Sequence, residues 1–172
     1  LNIYGSSEWQ KGMPNIAITY IYYRHTGINK TIKSNGVATG ISNNYVYLEE
    51  ESSIDLLDDF STYYIEHIAG TLNTKNHNVT IGSIYDATVG SKTKTLNLGR
   101  SNVYLTNTYS IFKAASAIFT LNAGTSHIHF TEFLTDYNIG YYGLRTTDKQ
   151  VYYDVTFEKT GGVIATPPSQ SV

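Results

Sequence analysis

From Asn78 to Asn107 the chain reads NVTIGSIYDATVGSKTKTLNLGRSNVYLTN, and three short runs of alternating β-branched or aliphatic residues within it each end on a glycine. They are Val79-Thr80-Ile81-Gly82, Ala87-Thr88-Val89-Gly90 and Leu96-Asn97-Leu98-Gly99, followed by Val103-Tyr104-Leu105 as a fourth without its glycine. Alternation sends successive side chains to opposite faces of a pleated strand, and glycine tolerates the positive φ of a reversing chain. A strand-and-turn unit thus recurs every eight or nine residues, the spacing of a sandwich, a barrel or a repetitive β-stack. The expected fold is all-β, mostly an antiparallel sandwich or barrel-like, with a short β-repeat stack as the other arrangement that fits.

Outside this block, Asn15 to Arg24 is the strongest strand, and neither of its faces is plainly polar. Ser34-Asn35-Gly36 carries the Asn-Gly signal of a hairpin, and Tyr45 to Leu48 reads as a strand. Between Glu49 and Ile68 lie seven acidic residues, with Ile54, Leu57, Tyr64 and Ile68 near helical spacing. Ser52 or Ser53 can cap a helix there, so one short helix is predicted around 53–60. Residues 62–65 have strand composition, and 111–121 fits either a short helix or a buried strand. Strands are expected within 126–134, 139–146 and 151–157, the last with Val151, Tyr153, Val155 and Phe157 facing the core. The chain divides into a single β-rich domain, 1–160, and an extended tail, 161–172. In that tail Gly161-Gly162 acts as a hinge, Pro167-Pro168 bars an inner strand, and Val163-Ile164-Ala165 either lies on a neighbouring subunit or belongs to a loose end.

Composition removes several functional classes. Only 15% of residues are charged and the net charge is −2, with 12 Lys+Arg against 14 Asp+Glu, which leaves no electrostatic case for nucleic acid. Cysteine is absent, so disulfide frameworks and thiolate metal sites are excluded and the redox compartment is undetermined. No apolar run approaches the roughly 20 residues of a membrane span, so membrane insertion is not expected. The start at Leu1, without a charged-then-apolar leader, reads as a mature or trimmed product.

Catalytic patterns are missing as well. There is no Gly-x-Ser-x-Gly elbow, no phosphate loop and no recognisable carboxylate pair, so the reading is non-enzymatic, with no catalytic residue and no cofactor. The acids of 49–68 lack the order of a calcium loop. Tyrosine is the compositional outlier at 16 residues. Strand propensity accounts for most of them. Trp9 and the pairs Tyr22-Tyr23 and Tyr141-Tyr142 are the candidates for stacking on sugar rings, which makes a carbohydrate-binding β-sandwich the alternative function. His127-Ile128-His129 puts two imidazoles on one face of a strand, about 6–7 Å apart by strand rise. One chain supplies too few ligands for a metal site. A trimer, bringing the pair from each chain around an axis, would supply enough.

The Thr-Ile-Gly, Thr-Val-Gly and Leu-Asn-Leu-Gly units, spaced by Ser/Lys/Thr-rich turns, resemble the repeats of bacteriophage tail-fibre and other virion-fibre proteins. The low charge, the absence of cysteine and the abundance of Asn, Thr, Ser, Gly and Tyr agree with that style of sequence. The resemblance implies a structural virion component outside the cell, such as a fibre, collar or capsid-decoration domain. It also implies a homo-oligomer, with a trimer favoured, other virion proteins as partners and a host glycan as attachment target. Some fibre and spike trimers bind iron through His-x-His near the threefold axis, the role the likeness implies for His127 and His129. The acidic segment and the irregular repeat depart from a long shaft and suit a compact virion domain better.

Overall fold

The computed structural model describes residues 1–14, 20–24, 29–38, 45–48, 53–86, 92–107, 111–113, 119–132, 143–145 and 151–159. Among these residues every regular element is a strand. In chain order they are β1 (Asn2–Ile3), β2 (Ser7–Glu8), β3 (Tyr20–Tyr23), β4 (Lys30–Lys33), β5 (Tyr45–Leu48), β6 (Ser53–Leu56), β7 (Phe60–His67) and β8 (Gly70–Asn73). There follow β9 (Val79–Asp86), β10 (Lys94–Asn97), β11 (Asn102–Leu105), β12 (Ile111–Lys113), β13 (Phe119–Asn122), β14 (His127–Phe130), β15 (Gly143–Arg145) and β16 (Asp154–Phe157).

Every pairing between these strands is parallel. Leu72 pairs with Leu96 and Leu96 with Leu121, 24 and 25 residues further along the chain, while shorter coils bring Ile54 to Leu72 after 18 residues and longer ones Ile111 to Gly143 after 32. A chain that comes back into parallel register once per circuit is a β-solenoid. The antiparallel sandwich or barrel is therefore corrected, and the repeat stack is the arrangement adopted. The eight- or nine-residue unit is one wall of a coil, so strands consecutive in sequence run along different walls and pair only with their equivalents a coil away.

Six strands form one sheet, in the order β13-β10-β8-β6-β4-β2; the other sheet has ten and is bent. The bend shows in the alternation of β7, where Phe60 and Thr62 are buried and then, one position out of phase, Ile65 and His67. On β9 the same corner falls at Gly82, where a Cβ would stand 2.7 Å from the Tyr63 carbonyl oxygen. The corner splits the sheet into two walls. β11 pairs with the first half of β9, and β12 with the second.

The interior is built of aligned apolar columns. Ile21, Val46, Ile65 and Ile84 stack in register along one wall, Ile54, Leu72, Leu96 and Leu121 along another, and Val79, Val103, Ile128 and Val155 along the third. All except the partly covered Val155 are buried. Because each coil repeats the same inward positions, a residue's neighbours are its equivalents above and below.

The predicted helix around 53–60 is overturned. Residues Ser53–Leu56 form β6, with Ile54 and Leu56 buried and Asp55 facing outward, and β7 begins at Phe60. Period-two burial wins over the helical spacing of Leu57, which is exposed at a turn. The acids have a different task here. The two oxygens of Asp58 accept from the backbone N–H groups of Ser34 and Asn35 at 2.7 and 2.5 Å, and Asp59 accepts from that of Asn78 at 2.8 Å, tying one coil to the next.

Ser34-Asn35-Gly36 has the turn conformation expected of it, with φ of 50° and 78° at Asn35 and Gly36 and a Val37 N to Ser34 O bond of 2.9 Å. It does not make a hairpin. The chain leaves β4 for the next wall, and the sheet neighbours of β4 are β2 and β6. At the other end of the molecule, the predicted strand 151–157 is shortened to Asp154–Phe157. Val155 packs on the core and the Phe157 ring stacks on Phe130 at 4.8 Å, yet Val151, Tyr153 and Phe157 are 78%, 66% and 51% exposed where core positions were expected. Residues 161–172, the expected tail, lie outside the described residues.

Candidate functional site

Outward side chains at equivalent positions meet across coils about 4.8 Å apart, and their chemistry differs from wall to wall. On the first wall β3 and β5 align Tyr22 with Tyr47. Their rings stack at 4.7 Å, Tyr20 lies 6.2 Å from each, and the Arg24 guanidinium sits over Tyr22 at 5.1 Å. Stacking engages one face each of the Tyr22 and Tyr47 rings, while the Tyr20 ring is tilted against both. Tyr20, 44% exposed, is the most open of the three.

Tyr23 faces the opposite way, since neighbours on a strand cannot share a face. It is buried beneath the wall, and burial pushes its phenol up to about 12, an effect that hydrogen bonding with Ser7 and Trp9 partly offsets. Trp9 is thus half-buried beside Tyr23, and the pair Tyr22-Tyr23 does not form a shared stacking surface. Tyr141 and Tyr142 lie outside the described residues.

On the third wall His127 and His129 share the outward face of β14, as their spacing predicts. Their rings stack at 4.0 Å, and His129 stacks in turn on Tyr104 of the preceding coil at 4.7 Å. The strand that follows supplies polar partners. His127 Nε2 lies 2.7 Å from Thr156 Oγ1 and 3.4 Å from Asp154 Oδ2, while His129 Nδ1 lies 2.7 Å from Glu158 Oε1. Glu132 turns away to Lys159. Among the described residues no group of three or more His, Asp and Glu side chains is arranged to hold a metal ion.

The six-stranded wall is the most regular. Thr71, Thr95 and Thr120 form one outward column, and Asp55, Asn73, Asn97 and Asn122 the next. Asn73 donates to Asp55 at 2.5 Å, Asn97 donates to Asn73, and Asn122 donates to Asn97 at 2.6 Å. A carboxamide suits this ladder because it donates upward and accepts from below in one orientation. The tripeptides Thr71-Leu72-Asn73, Thr95-Leu96-Asn97 and Thr120-Leu121-Asn122 spell the ladder out in the sequence, a signal that a search for eight-residue repeats passes over.

Comparisons with protein-family models, with curated proteins and with solved structures return no match for this chain.

Proposed function

We propose that this chain is a non-enzymatic structural component of a phage-type virus particle, such as a fibre, collar or capsid-decoration domain, acting outside the cell as part of a homo-oligomer. The observation that carries the reading is the ladder from Asp55 to Asn122. Along this column the outward polar groups that an enzyme would aim at a substrate are bonded to their equivalents in adjoining coils, and the imidazoles of β14 are engaged by Thr156 and Glu158 on the coil that follows. A solenoid stitched in this way is a stiff body without disulfides and with few charges, which is what a particle component exposed to the medium requires. Electron microscopy of the native source, with light scattering on the purified chain, is the test. Localisation in a particle and a stable trimer are expected; a free, monomeric protein at micromolar concentration would overturn the proposal.

The second reading, a carbohydrate-binding module, draws on Tyr20 at the edge of the stacked Tyr22 and Tyr47. A half-exposed tyrosine offers a sugar both a hydroxyl and an apolar ring. In the virion reading the same wall is the contact for a host glycan.

A further inference from the structure

We draw no further inference here: the strongest candidate, the apolar end of the last described coil where Val151, Tyr153 and Phe157 stand exposed beside β16, carries nothing because nothing in the structure shows what covers it.

Discussion

Gly124 packs backbone to backbone on Gly99: a Cβ at position 124 would overlap the Gly99 carbonyl oxygen, which also accepts from Thr125 N at 2.8 Å. Both glycines have positive φ, 60° and 58°. Gly124→Ala therefore adds a backbone overlap to a left-handed penalty of roughly 1–2 kcal/mol. A loss of at least about 2 kcal/mol in urea unfolding is expected. Gly36→Ala, at φ 78° with open space around it, should show the backbone penalty alone. Equal losses in the two variants would mean that the approach of adjoining turns does not limit stability.

Asn97 occupies the middle of the amide ladder and Asn122 a later position on it. Asn97→Ala removes two side-chain hydrogen bonds and Asn122→Ala one of those described, at about 1 kcal/mol each. Asn97→Asp keeps the acceptor for Asn122 but turns a carboxylate oxygen toward the Asn73 Oδ1 acceptor, so near neutral pH it should fall at or below Asn97→Ala. Urea midpoints rank the three. A ladder of no consequence would leave them indistinguishable.

Alkali should unfold the protein through its buried phenols. Tyr23 is raised from 10 to about 12 by burial, so the folded state holds that proton more tightly than the unfolded chain does. The contribution to stability is complete below pH 10 and is lost as pH rises through 12. Two units correspond to about 3 kcal/mol. Tyrosinate absorbance followed alongside circular dichroism checks this, with Tyr23→Phe expected to move the alkaline transition upward. A transition that stays in place assigns the sensitivity elsewhere, Tyr152 being a second phenol raised by burial among the described residues.

Glycan contact, if the first wall provides it, depends on Tyr20. Tyr20→Ala should reduce retention on a glycan array about tenfold, the loss of roughly 1.4 kcal/mol that a contact residue of this size supplies. Its melting temperature should stay close to wild type because the ring is exposed. Unchanged retention would remove this wall from the attachment surface.

Truncation after Lys159 tests the tail that the sequence leads us to place on a neighbouring subunit. The shortened chain should keep its circular dichroism and shift toward monomer in light scattering. Undiminished assembly would end that idea.

The strands were legible in the sequence because alternation at Val79-Thr80-Ile81 or Leu96-Asn97-Leu98 is a local property. Their direction was not, because Leu96 finds Leu72 and Leu121 each a whole circuit away and no turn residue announces a parallel partner. Asn35-Gly36 shows the limit well: the pair fixes the turn's φ values and leaves open which strand the chain then meets. The acids of 49–68 misled for the same reason, since the groups that Asp58 and Asp59 satisfy belong to other coils. Of the site, the shared face of His127 and His129 could be read from their spacing. Their stack on Tyr104 and the burial of Tyr23 needed the coil register.

The stacking has a mechanical meaning. Backbone bonds of the sheets and the amide ladder both run from coil to coil, so tension applied between the first and last coils loads the coil interfaces in series, each bearing the full force. Stacked repeats touch only their neighbours, and the weakest interface would part first. A sideways load is different, for it is shared among all the coils it presses on. Such a body resists being pressed from the side better than being drawn out from its ends.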